Sequence, residues 1–139
     1  MSRIAISLLL VAALCGAAAS ASSTLDGVYS PAQADRGAEA YAGNCALCHG
    51  PDLTGTYEIP SLRGRFVARW SGASLDQLLD YVGSAMPLHQ PGSLSPETDL
   101  DIIAFLLRSN GIPSGANELA PAPEALKRIR FQGPAFPAK

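Results

Sequence analysis

Two cysteines three positions apart, followed at once by a histidine, constrain this chain more than any other feature: Cys45-Ala46-Leu47-Cys48-His49. Thiols at that spacing fall on one side of a helical turn. His49 is the next residue of the same turn. The pattern suits a porphyrin, with each thiol forming a thioether to one haem vinyl group and the imidazole pointing at the iron. Two other chemistries use paired cysteines. A dithiol redox site sits in a strand-to-helix context, and no strand signal flanks residues 45–48. A zinc site needs four ligands, and beyond the motif residues 22–139 offer one more histidine, His89, and no further cysteine. The motif therefore points to haem c, one group attached through Cys45 and Cys48.

The third cysteine, Cys15, belongs to a different device. Arg3 opens a short basic region, residues 4–14 are apolar, and Ala19-Ser20-Ala21 is a small-x-small cleavage sequence. Residues 1–21 are expected to be a signal peptide, with the mature chain starting at Ser22. An uncleaved anchor is the alternative, but a membrane span prefers about twenty apolar residues. Leu14 before Cys15 is too large for a lipidation site, so Cys15 leaves with the signal. The expectation is export to the periplasm with no stable membrane insertion after cleavage. Removing Arg3 leaves nine basic side chains against twelve acidic ones, a net charge of −3. That balance excludes a nucleic-acid footprint and suits weak electrostatic encounters with other proteins.

Helix signals then divide the chain. Ser30 is an N-cap, Pro31 fits the first helical position, and Gln33 is placed for a capping box. The helix is predicted to run to about Gly43, with Ala34, Ala38 and Tyr41 on one face. Residues 50–70 are rich in Gly and Pro and read as loop, with a helical turn near Phe66. Ser74 and Gln77 form a second capping box, followed by the stripe Leu75, Leu78, Leu79 and Val82 and an end near Gly83. Ser95-Pro96-Glu97 opens a third helix carrying Leu100, Ile103, Phe105, Leu106 and Leu107 and stopping at Asn110-Gly111. Glu97, Asp99 and Asp101 near its start and Arg108 near its end match the helix dipole. The remainder is a Pro-rich tail with one or two helical turns over residues 123–129. The predicted fold is all-α, three to four short helices with long loops around one covalently bound haem. Its predicted divisions are a domain over 22–112 and a tail over 113–139 that packs on the domain or on a partner. So short a chain makes a thin core, which a buried macrocycle completes.

The iron needs a sixth ligand. The mature chain offers Met86, held next to Pro87, and His89 as the alternative. A neutral thioether favours ferrous iron and raises the reduction potential. Arg63, Arg65 and Arg69 form a basic cluster, and Arg63 is the candidate partner of a haem propionate, since arginine suits carboxylates. Trp70 either donates its indole N–H to a propionate or packs in the core. Lys127, Arg128 and Arg130 read as a solvated face.

Taken in order, Cys45-Ala46-Leu47-Cys48-His49, Pro60-Ser61-Leu62-Arg63-Gly64, Met86-Pro87 and the aromatic-bearing last helix resemble the class I monohaem cytochrome c family, over residues 31–111. The resemblance implies that the first and last helices cross at a glycine and aromatics, here Gly37, Tyr41 and Phe105. It also implies that the Pro60 carbonyl binds the second nitrogen of His49. The axial pair it implies is His49 and Met86. The leader Asp26-Gly27-Val28-Tyr29 and the tail resemble a bacterial subgroup that partners periplasmic dehydrogenases. With both axial positions filled and no catalytic residues of its own, such a chain is expected to carry single electrons. Donor and acceptor would be a periplasmic dehydrogenase and a cytochrome or oxidase of the respiratory chain. Two other roles follow from the same residues: a fixed subunit of a dehydrogenase complex, and a gas sensor or peroxidase from which Met86 departs.

Overall fold

The computed structural model describes residues 23–134. The expected signal segment, with Cys15, lies outside the described residues, as do residues 135–139. The described chain forms a 3-10 turn at Thr24–Asp26 and then α1 (Pro31–Asn44), α2 (Ala46–His49), α3 (Arg65–Trp70), α4 (Leu75–Ala85), α5 (Pro96–Ser109) and α6 (Pro123–Leu126), with no strand. The helices marked by capping signals are α1, α4 and α5. The count exceeds the expected three to four because the haem motif, the turn at Phe66 and the tail each wind into a helix of four to six residues.

Local chemistry explains the starts. Ser30 Oγ accepts from Gln33 N at 3.0 Å, and Pro31 takes a position that needs no donor. The reciprocal half of the expected capping box is absent at Ser30. Gln33 is instead buried, donating from Nε2 to Leu119 O at 2.9 Å and accepting from Leu119 N at 2.8 Å. A distant backbone pair, left without other partners, outcompetes the local cap for that amide. At Ser74 the box does close, with Ser74 N donating to Gln77 Oε1 at 3.0 Å. At α5, Ser95 Oγ accepts from Thr98 N at 3.2 Å.

α1 and α5 cross at backbone contact distance. Any Cβ at Gly37 would lie 1.8 Å from the Asp101 carbonyl oxygen. Next to the crossing, Tyr41 and Phe105 rings meet at 5.1 Å. Arg36 closes the outer side with a fork on Asp101 (3.0 Å twice) and a second grip on Glu118. Both acidic partners help hold its guanidinium in the charged form, and the Glu118 carboxyl is correspondingly lowered by Arg36. Arg108 of α5 reaches back to Asp35 Oδ1 at 2.6 Å and lies over the Phe105 ring. Leu100, Ile103 and Leu107 are fully buried beneath, with α4 contributing Leu75 and Leu78.

Leader and tail join the same core. Leu119, Leu126, Ile129 and Phe131 are buried, as are Val28 and Tyr29 of the leader. The extended stretch 129–132 is stitched on two sides. Ile129 O accepts from Leu75 N at 3.0 Å, Phe131 N donates to Ala73 O at 2.7 Å, and Arg130 O accepts from Thr24 N at 3.0 Å. Tyr29 OH donates to Ile112 O at 2.6 Å. These bonds account for the polar backbone that a buried irregular segment must satisfy.

Candidate haem site

The site begins where α1 ends. Cys45 closes that helix, its N–H donating to Tyr41 O at 2.8 Å, and the chain turns directly into α2. One helical turn then carries Cys45, Cys48 and His49, with His49 N donating to Cys45 O at 2.9 Å. Gly50, at φ 77°, stops the turn in a conformation that glycine adopts without strain. Tyr41 OH ties the end down by donating to Gly50 O at 2.7 Å. Both cysteines are free thiols.

Residues 50–62 fold back beneath the imidazole. Gly55 N donates to His49 O, Thr56 N to Ile59 O and Leu62 N to Leu53 O, each at 2.9 Å. Ser61 Oγ donates to the same Leu53 carbonyl, and the Asn110 amide of α5 donates to Leu62 O at 2.9 Å. Gly55, at φ 66°, is packed so closely that a Cβ there would lie 2.2 Å from Ile59 O. The fold-back brings the Pro60 carbonyl 3.0 Å from His49 Nδ1. A carbonyl only accepts, so Nδ1 carries the proton and Nε2 keeps its lone pair for a metal. A free thiol pair on one turn, with an imidazole oriented beside it, fits covalent haem in donor chemistry and in order.

The other expected ligand, Met86, caps α4. It is half-buried, with its N–H on Val82 O at 3.0 Å. His89 is exposed. Arg63 Nε donates to Asp52 O at 2.7 Å and so braces the loop, while Arg65 lines a cavity of about 400 Å³ with Tyr57, Glu58, Pro60 and Ser61. Arg69 is exposed, and Trp70 packs on Tyr81 with ring centres 5.5 Å apart. Leu47, Tyr57 and Leu88 are apolar side chains of this end that stand in solvent. Among the described residues there is no cluster of three or more His, Cys, Asp and Glu able to hold a metal ion. Among them, too, no helix is long and apolar enough to cross a membrane.

Asp99 stands in the first turn of α5, as the helix-dipole reading expects. It is also 2 % exposed, and its Oδ1 has no hydrogen-bond partner among the described residues. Its spacing from Ile102, Ile103 and Leu106 puts it on the apolar stripe of α5, the signal that the pattern of charges concealed. Burial alone raises its carboxyl above the ordinary value. The same environment acts on Cys45, whose thiol is pushed up to about 11 by burial first, and then by Asp99 and Cys48. Thiolate is the reactive form. In the chain before haem attachment, iodoacetamide is expected to label the exposed Cys48 at least roughly tenfold faster than Cys45. Peptide mapping of a time course checks this, and equal rates would refute it.

A one-turn thiol pair, an imidazole held by a proline carbonyl and a crossed pair of first and last helices define a c-type cytochrome. A family profile for cytochrome c oxidase, cbb3-type, subunit III, matches residues 32–106, more than half of the chain, and the chain belongs to that family of c-type cytochromes. No curated protein matches. Among solved structures the chain is similar to one in the sulfane dehydrogenase SoxCD from Paracoccus pantotrophus, with a TM-score of 0.52 and 24% identity. The match covers 81% of this chain and 65% of that one, so this chain spans a little under two thirds of its neighbour's length. The likeness is one of fold, and it extends beyond the family match.

Proposed function

We propose that this protein is a periplasmic one-electron carrier. It would work through a single haem c attached at Cys45 and Cys48 and ligated by His49 and Met86, between a periplasmic dehydrogenase and the respiratory chain. The observation that carries the reading is the 3.0 Å contact of His49 Nδ1 with Pro60 O, which leaves Nε2 for iron beside two free thiols. When bound, haem supplies a reversible ferric–ferrous couple. The chain's part is to fix and tune it. Cys45 and Cys48 set the plane, Pro60 orients His49, and the thioether of Met86 favours the reduced state. Arg63 stands on the loop beside Pro60 as the donor proposed for a propionate. Residues 1–21 support export, since their basic, apolar and small-residue regions follow in signal-peptide order.

A fixed subunit of a dehydrogenase complex is the second reading, favoured by the fold shared with a chain of SoxCD. Production in a host that attaches haem c, followed by acid–acetone extraction and intact mass, tests the foundation. One haem retained per chain is expected, and a haem-free mass refutes it. Met86→Ala is then expected to lower the potential and abolish the far-red charge-transfer band of the ferric protein. An unchanged spectrum and potential would remove Met86, and loss of the low-spin form only on His89→Ala would name His89. Rapid stoichiometric binding of carbon monoxide to the reduced protein would open the sixth position and favour the sensor or peroxidase. Co-purification with a dehydrogenase separates subunit from shuttle.

A further inference from the structure

Asp99 is a buried carboxyl at the start of α5. It is 2 % exposed in the first turn of α5, and its Oδ1 is unpartnered among the described residues. Its Oδ2 lies against the α4 backbone, 3.1 Å from where a Cβ on Gly83 would stand. Gly83 lies one helical turn before Met86, at the end of α4 that carries the expected ligand, and Asp99 is a secondary cause, after burial, of the raised Cys45 thiol. A buried carboxylate oxygen left without a donor is costly. We propose that Asp99 is a redox-linked proton site: its carboxylate takes up one proton from solvent when the haem held by Cys45 accepts one electron, and releases it on reoxidation.

The inference rests on haem attachment at Cys45 and deepens the carrier reading. The balance is one electron from a one-electron donor and one proton from water, giving ferrous iron and neutral Asp99. The cause is electrostatic. Ferric iron carries one more positive charge than ferrous iron, and so holds a neighbouring carboxylate ionised. Reduction removes that charge, and burial then favours the protonated acid. Other charged groups leave the site to Asp99. On the α1–α2 side Asp35 and Arg36 are ion-paired, Glu39 is exposed, Tyr41 OH donates to Gly50 O, His49 Nδ1 meets Pro60 O, and Cys45 and Cys48 are the residues that thioethers would consume. On α4, Asp76 acts on Lys127 and Glu124, Tyr81 packs on Trp70, and Asp80 is exposed. On α5, Asp101 is bound to Arg36 and Glu97 is exposed. Burial is the cause that raises the Asp99 carboxyl above its ordinary value, with no charged neighbour beside it. The haem propionates are the rival carboxylates, and the experiment separates them.

Redox titrations of the haem-loaded protein and Asp99→Asn, between about pH 4 and about pH 9, span the range buried carboxyls reach. The wild-type reduction equilibrium is expected to fall with rising pH, by up to tenfold per pH unit, about 59 mV for one electron. Asp99→Asn is expected to be flat over that window and to have the higher potential at its alkaline end. A flat wild type, or a variant that keeps the slope, overturns the proposal. Should the variant fail to mature, the wild-type ferrous-minus-ferric infrared spectrum decides. A protonated-carboxyl band must appear on reduction and shift when aspartate is labelled with carbon-13 at its carboxyl. A missing band, or one indifferent to the label as a propionate's would be, overturns the proposal. Intact mass is taken first. A chain without haem refutes the attachment reading, whereas a haem-bearing chain with a flat potential refutes Asp99 alone.

Discussion

Phe131→Ala is expected to cost about 3–5 kcal/mol of folding stability, the range for truncating a fully buried phenylalanine. Phe131 is 0% exposed and meets Phe66 edge to face, ring centres 5.6 Å apart. Its backbone is bonded on both sides to the segment that leads into α4, through Ala73 O and Gly72 N. The truncation thus opens a void between α3 and the start of α4 that those hydrogen bonds keep from collapsing. A domain of this size has about 5–15 kcal/mol in all. Urea slopes of about 1–3 kcal/mol per molar convert the loss into a midpoint lower by about 1–5 M. The haem spectrum without denaturant should be unchanged, because Phe131 supplies no ligand. A midpoint within about 0.3 M of wild type would mean that the tail packs on the surface and not in the core.

That expectation takes one side of what the sequence left open, a tail that packs on the domain or on a partner. The apolar residues Leu119, Leu126, Ile129 and Phe131 keep no single period, since the first three are at helical spacing and the last two at strand spacing. They keep none because the segment changes conformation along its length, from the α6 turn to an extended stretch held by leader and α4 backbone. Such a segment is dictated by partners distant in sequence, and local pattern cannot register them. Gln33 teaches the same lesson on a smaller scale, since its capping position was visible and its tie to Leu119 was not. By contrast α1, α4 and α5 were legible because serine caps and apolar stripes agree at each, with proline at the first position of α1 and α5. In the site, Cys45, Cys48 and His49 are local chemistry and stand out in the sequence. The fold-back that carries Pro60 to His49 depends on Gly55 being flush with the Ile59 carbonyl, and on Leu53 buried at φ 59°. Neither close approach nor a left-handed leucine leaves a signature in composition.

Gly37→Ala is expected to be the most damaging single methyl in α1. In an open helix the change would be favourable by about 1 kcal/mol, from propensity alone. Here the new methyl would stand 1.8 Å from the Asp101 carbonyl oxygen and 3.0 Å from Phe105 Cβ. The first obstacle is backbone, which cannot rotate aside as a side chain can, so the two helices must separate. Overpacking costs about 1–3 kcal/mol when side chains adjust, and occasionally more. A backbone clash belongs at the upper end, so a net loss of about 3 kcal/mol is expected, propensity included. The displacement also reaches the site. The end of α1 is Cys45 and the first turn of α5 holds Asp99, so prising the crossing apart moves Cys45, the residue proposed to carry haem, relative to α5. Covalent haem per chain should therefore fall together with the urea midpoint. Gly43→Ala is the matched control on the same helix, because a Cβ at 43 meets nothing within 4 Å. It is expected to hold or raise the midpoint, by about 0.5–1 kcal/mol at most, with wild-type haem content. If Gly37→Ala behaves like Gly43→Ala, α1 and α5 do not cross at Gly37.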